Sequence, residues 1–317
     1  MLASSTRFER EKWPGLSPAL DLVDSIFRGG DLPRSVLLFG PEGSGTLDLA
    51  RHLAHFALCL DPQTGGPCGE CKACRGFQNG NAVDFQLIAP AGRQYMIRNS
   101  AVARGAADDD ESSTVPILDF FRTRPLVARH KAVLIHDAHR MNLATSNALL
   151  KTLEEPMPHA KLILTTESPS QLAPTILSRC FLIRCSLPER LDEATPMERI
   201  FSEGSPGRLD AIRAQPGPYQ ALFEVLERIE GADARAALRV AELFRAATEN
   251  LPTQGDQGAR FRQAESLRLL AAYWLCQHPD RPESLSQVIE AHRRTLGNVN
   301  FALETDALFT DLLQVRS

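Results

Sequence analysis

The chain has 317 residues, 43% of them hydrophobic and 23% charged, with a formal net charge of -4 at pH 7. That length holds two or three domains, and the composition is ordinary for a globular protein, which excludes a disordered or fibrous chain. The missing basic excess argues against a protein that grips DNA tightly by itself, so any DNA contact is shared with partners.

Residues 1–15 mix Arg7, Glu9, Arg10, Glu11 and Lys12 without an apolar run, unlike a secretory signal. The longest apolar stretch, Leu269 to Cys276, is too short to cross a bilayer. A cytoplasmic protein with no membrane contact is expected, and there its seven cysteines stay reduced.

Short apolar runs recur at Val36–Phe39, Phe85–Ile88, Ala132–Ile135, Leu162–Thr165 and Phe181–Ile183, with helical patterns between them. Strand-length runs alternating with helices predict an α/β domain built on a parallel sheet with crossover helices. Ligands in such folds sit at the carboxyl ends of the strands.

The first run leads into Gly40-Pro41-Glu42-Gly43-Ser44-Gly45-Thr46-Leu47, followed by a helical pattern. Strand, glycine-rich loop and helix are the context of a P-loop, where backbone N–H groups and a helix N-terminus cradle phosphates. The motif next requires Lys and then Ser or Thr, but here Thr46 and Leu47 stand in those places. Loss of an ammonium about 4 Å from a phosphate removes about 4 kcal/mol of attraction at an intermediate dielectric. Loss of the hydroxyl removes a Mg²⁺ ligand. Gly40, Gly45, Thr46 and Leu47 therefore read either as a degenerate P-loop, with ATP not expected to bind, or as a plain glycine-rich turn.

Cys59, Cys68, Cys71 and Cys74 follow in one stretch, with Gly65, Gly66, Pro67 and Gly69 among them. Four thiolates in that span can converge on a tetrahedral Zn²⁺, and an all-cysteine site is structural because no coordination position stays open. A disulfide pair or free thiols are the competing readings. Cys180, Cys185 and Cys276 read as single buried thiols.

Residues 104–114, with Asp108 to Glu111 among them, read as an exposed acidic loop. The third run ends in His136-Asp137. An active site of the Walker type carries two carboxylates there, one for Mg²⁺ and one to activate water. His136 replaces the first, and Asp137 holds the second place with a shorter side chain. A solvated strand end is the other reading of this pair. The helix expected from Asn142 to Glu155 places Ala144, Ala148, Leu149 and Leu153 on one face, toward the core. Beyond Leu187-Pro188 the strand pattern stops. Two short helices are expected between Met197 and Arg213, and helices from Tyr219 onward with breaks near Pro252–Gly258 and Pro279–Pro282.

With these residues in view, the chain resembles the AAA+ subunits of the bacterial DNA polymerase III clamp loader. The degenerate P-loop, the four-cysteine module after its helix, the run Asn147-Ala148-Leu149-Leu150-Lys151-Thr152-Leu153-Glu154-Glu155-Pro156 and the run Pro174-Thr175-Ile176-Leu177-Ser178-Arg179-Cys180 match together. The resemblance covers about residues 15 to 215, and the remainder matches in length and helical character. The family divides into motor subunits, gamma and tau, which hydrolyse ATP, and the delta prime branch, which keeps the fold and usually loses hydrolysis. Thr46, Leu47 and His136 place this chain with delta prime.

The resemblance implies an AAA+ domain over 1–187 with its zinc module at 59–74, a helical lid over 188–215 and a helical collar over 216–317. It implies a stator in a heteropentameric ring with gamma/tau and delta subunits, acting through that ring on the sliding clamp and primer-template DNA. Arg179, with Ser178 beside it, would be an arginine finger reaching a neighbouring motor subunit. Thr166 and Arg208 would occupy sensor positions. The family's usual His-Pro-Asp triplet after the zinc module stands here as Ala82-Val83-Asp84, so no role passes to Asp84. Two rival functions stay open: an ATP-hydrolysing motor of the gamma type, and a zinc-dependent DNA-binding module.

Overall fold

Each of the five apolar runs forms a strand: β1 (Ser35–Phe39), β2 (Phe85–Ile88), β3 (Lys131–Ile135), β4 (Ala160–Thr166) and β5 (Phe181–Arg184). They pair in parallel in the order β2-β3-β4-β1-β5. The computed structural model describes residues 8–91, 95–102, 115–191, 194–253, 258–297 and 299–314, and divides into two units, Met1–Glu189 and Arg190–Ser317. The acidic stretch 104–114 lies outside the described residues. No helix among them is long and apolar enough to cross a membrane.

The central strands β1, β3 and β4 are buried on both faces, while the edge strand β5 leaves Phe181 and Leu182 exposed. Val36, Leu38, Ala132, Leu134, Ile163 and Ile183 point to one side. There they meet Leu20 and Phe27 of α1 (Ser17–Arg28) and Leu49, Leu53 and Phe56 of α2 (Thr46–Leu58). After α2 come the cysteine module and the short α3 (Lys72–Gln78). Leu37, Val133, Ile135, Leu162 and Leu164 point to the other side. They pack on Ile117 and Phe121 of α4 (Ile117–Arg122), Leu149 and Leu153 of α5 (Leu143–Glu154) and Ile176 of α6 (Pro174–Leu177).

One helix departs from expectation in detail. Asn142 is the N-cap of α5, its side chain accepting the Thr145 N–H at 2.8 Å. With that start, the buried stripe runs through Thr145, Leu149, Thr152 and Leu153, and Ala144 is exposed. Thr145 tolerates burial because its hydroxyl bonds Asn142 Oδ1 at 2.8 Å.

The second unit is helical: α7 (Pro196–Ser202), α8 (Pro206–Ala214), α9 (Pro216–Ile229), α10 (Ala237–Glu249), α11 (Ala259–Gln277), α12 (Pro282–Leu296) and α13 (Phe301–Gln314). Met197, Phe201 and Ile212 join Leu226, Phe244, Trp274 and Phe309 in one hydrophobic core, so α7 and α8 share their core with the helices that follow. Thr195 and Glu198 form a reciprocal capping box at the start of α7. Glu203 accepts from both Arg208 and Arg268, tying the turn between α7 and α8 to α11. Cys276, on the outward side of α11 beside exposed Leu275, is exposed rather than buried.

Asp84 proves to be a structural hub of the first unit. Its carboxylate is 2% exposed and accepts the successive N–H groups of Leu126 (2.9 Å), Val127 (2.7 Å) and Ala128 (2.8 Å). Three charge-assisted bonds fix the turn that feeds β3. Asp84→Ala leaves those donors unmet and lowers unfolding free energy by about 3 kcal/mol. A urea titration checks this, with a loss below about 1 kcal/mol counting against the hub.

Candidate functional site

The loop Gly40–Thr46 leaves the carboxyl end of β1, and the sheet order sets it beside the end of β4. The Gly40 N–H donates to the Thr166 carbonyl at 3.2 Å. Thr165 and Thr166, the last residues of β4, in turn hold the histidines that follow β3. Thr165 Oγ1 lies 2.8 Å from His136 Nδ1 and accepts the Asp137 N–H at 3.3 Å, while Thr166 Oγ1 lies 3.1 Å from His139 Nδ1. Gly40, Thr165, Thr166, His136 and Asp137 thus stand along one hydrogen-bonded row at the strand ends, where such folds place ligands. The Asp137 carboxylate lies 3.7 Å from His136 Nε2, and its backbone is left-handed at φ 51°. Burial holds His139 below the usual histidine range.

Pro41 and Glu42 of the loop are exposed, whereas the side chains that follow engage the fold. Thr46, at the lysine place, shares a 2.7 Å hydrogen bond with Ser44 and another with the Cys185 thiol. Leu47, at the place of the metal-binding hydroxyl, packs against the core beneath α2. Two glycines are demanded by packing alone. A Cβ on Gly45 would stand 2.6 Å from the Trp13 ring, and its φ of 87° favours glycine in any case. A Cβ on Gly40 would stand 2.1 Å from the Cys185 carbonyl oxygen.

At the opposite end of α2 the four cysteines converge. Their sulfurs all lie within 4.8 Å of one another, with Cys59–Cys68 at 3.5 Å and Cys68–Cys74 at 3.9 Å. Sulfurs about 2.3 Å from a tetrahedral zinc ion stand about 3.8 Å apart, so the set fits a metal. Backbone N–H groups already point at the sulfurs: Cys68 N–H at Cys59, Leu60 and Cys74 N–H at Cys71, from 3.3 to 3.5 Å. Burial pushes the Cys59 and Cys74 thiols up. Burial also opposes charge on Cys71, yet the Leu60 and Cys74 N–H groups bring it down to about 7. Thiols crowded in this way ionise together only beside a cation, the chemistry of a metal-binding set.

Arg179 belongs to neither cluster. It follows α6 and precedes β5, with Nη2 2.9 Å from Glu154 Oε1 and Nη1 donating to the Thr175 carbonyl at 3.1 Å. Glu154 ends α5, so the two most distinctive runs of the sequence meet in this ion pair. Ser178 donates its hydroxyl to the Thr175 carbonyl at 3.1 Å, closing the last turn of α6. Phe181 pairs with Val36 near the start of β1, whereas the glycine-rich loop follows β1's far end at Phe39. At about 3.3 Å per residue, the length of β1 from Val36 to Phe39 is about 10 Å, and Arg179 lies two residues further back than Phe181. The guanidinium is therefore out of hydrogen-bond reach of its own chain's loop.

Sequence reasoning missed Trp13 against Gly45, the Asp84 hub and the Glu154 partner of Arg179. None of these had a local signal; Asp84 stood out only as the surviving member of the family's altered triplet.

The family described as DNA polymerase III, delta subunit, matches residues 16–188. The chain belongs to that family. Subunit delta' of DNA polymerase III from Pseudomonas aeruginosa is 38% identical over 181 residues, covering 57% of this chain and 52% of that protein. The tau subunit from Escherichia coli K12 is 36% identical over 198 residues, 62% of this chain and 28% of that one. The match thus spans about half the length of the Pseudomonas relative and less of tau. A gamma subunit-related protein of Thermotoga maritima shares the fold, with a TM-score of 0.51 at 18% identity over 94% of this chain and all of that one. The first unit is accordingly an AAA+ P-loop α/β domain.

The Arg179–Glu154 pair is solvated on both sides, its side chains 35% and 49% exposed. Such pairs contribute about 0–1 kcal/mol. Glu154→Ala should change unfolding free energy by less than about 1 kcal/mol by chemical denaturation; a larger loss would mean that Arg179 is anchored in place.

Proposed function

We propose that this chain is the delta prime, or stator, subunit of a DNA polymerase III clamp loader. It would sit in a heteropentameric cytoplasmic ring with delta and gamma/tau subunits, help open the sliding clamp and place it on primer-template DNA, and hydrolyse no ATP itself. Within unit 2 the helices before about residue 215 would serve as the lid and the rest as the collar. Arg179 would act as an arginine finger on the neighbouring motor subunit, with Ser178 shaping its turn. The observation that carries this reading is the placement of Arg179 beyond reach of its own loop, combined with a loop whose Thr46 and Leu47 are engaged within the fold. A guanidinium so placed would be available to a site on another chain, where it would offset charge developing on a transferring phosphoryl group.

In a reconstituted loader, Arg179→Ala should leave assembly intact and slow hydrolysis at the site it faces, on the order of 10³-fold. Unchanged single-site turnover would remove the finger. The tau subunit of Escherichia coli, at 36% identity, matches more closely than the delta' subunit of the same organism, at 27%, which favours keeping the motor as the second reading. Saturable ATP binding with hydrolysis by the isolated chain would favour it.

Cys59, Cys68, Cys71 and Cys74 would hold one structural Zn²⁺, which orders the module and leaves no open position for catalysis. Purified chain should carry one zinc per molecule by elemental analysis. Because metal binding to such a site is folding free energy, stripping it with a chelator should lower the melting temperature by about 10 °C or more. A metal-free chain with the same melting temperature would return these residues to plain thiols.

A further inference from the structure

Between α1, α2 and the tip of the cysteine module lies a cavity of about 500 Å³ that none of the roles above uses. Its volume falls within the range of small-molecule sites. Phe8, Phe27 and His52 supply ring surfaces, the His52 ring lying 5.7 Å from Phe8 and 5.5 Å from Phe27 between centroids. His52 is 9% exposed and lines the cavity, and neither ring nitrogen has a hydrogen-bond partner among the described residues. Burial, with the nearby His55 and Arg10, holds its pKa at about 4, so at neutral pH the ring offers one donor and one acceptor. Two cations border the space. Arg10 is taken by Asp24 at 2.5 Å, whereas exposed Arg28 has no ion pair among the described residues.

These features select among ligands. An imidazole that lines a cavity, with no hydrogen-bond partner among the described residues, can meet the polar edge of a ligand. An aliphatic side chain in the cavity would leave His52 unmet and give Arg28 nothing to bind. A nucleobase has a π-face for the rings and a polar edge for the imidazole, and its phosphate suits a free guanidinium. We propose that this cavity is a nucleotide site, separate from the glycine-rich loop, which takes a nucleobase among Phe8, Phe27 and His52 with its phosphate at Arg28. The same chemistry is presented by a free mononucleotide and by the phosphorylated end of a single DNA strand.

The full chain with ¹³C-labelled histidine, titrated with dAMP in one arm and a short 5′-phosphorylated single-stranded oligodeoxynucleotide in the other, tests the site by NMR. The His52 Cε1 resonance, assigned through His52→Phe, should shift saturably in at least one arm, while His136 and His139 at the strand ends should not move. Arg28→Ala, a surface change that leaves the fold intact, should weaken binding about tenfold. Saturation in both arms identifies the mononucleotide unit as the ligand; saturation with the oligodeoxynucleotide alone identifies the strand end. Absence of a saturable His52 shift at millimolar ligand, shifts at His136 instead, or full affinity in Arg28→Ala would overturn the proposal. None of these readouts depends on Arg179 or on ring assembly, so the stator reading stands or falls separately.

Discussion

The parallel pairing of β1 between β4 and β5 is the constraint on which the rest of this molecule depends. A parallel sheet has two chemically different ends, and a strand of a few residues keeps them apart by more than a side chain can span. The carboxyl end gathers the glycine-rich loop, the β4 threonines and the residues after β3. The amino end receives Arg179, the last turn of α2 with its cysteine module, and the Asp84-held turn before β3. A small shift of register would mix these groups, but burial on both faces fixes the register of the central strands β1, β3 and β4.

The glycine-rich loop shows how a nucleotide-binding shape can outlast its chemistry. The two positions most characteristic of phosphate binding carry Thr46 and Leu47, and both side chains have joined the interior, one through Ser44 and Cys185 and the other through the core. The glycines remain for a different reason. Trp13 and the Cys185 carbonyl occupy the volume that a Cβ at Gly45 or Gly40 would need. Glycines in this loop are therefore a weaker sign of phosphate binding than the residues that follow them.

What was legible in the sequence follows the same division between local and distant causes. The strands could be read because burial on two faces leaves an unbroken apolar run in the chain. The cysteine cluster could be read because its members fall within sixteen consecutive residues, from Cys59 to Cys74. Asp84 could not, since its partners lie 42 to 44 positions away in a segment with no pattern of its own. The outward position of Ala144 turned on the N-cap that sets the phase of α5, and a one-residue error in phase turns a helical face by about 100°. In the second unit, helical periodicity gave the elements. The contacts of Glu203 with Arg208 and Arg268 needed the folded chain, because α7, α8 and α11 meet only there.

The ion pair between Glu154 and Arg179 bears directly on the proposed stator role. An arginine that acts on another chain must be held in a defined place yet remain free to leave it. A buried, fully paired guanidinium would resist transfer, because removing it strands a carboxylate in a dry site. Glu154 is instead half-exposed, and water replaces Arg179 at little cost. Against that cost of about 1 kcal/mol or less, a finger that speeds phosphoryl transfer by 10³ to 10⁵ stabilises the transition state by about 4 to 7 kcal/mol. On that proposal the difference would favour transfer once a neighbouring site is charged with nucleotide. The end of α5, where Glu154 sits, would then be the rest position from which the arginine is presented.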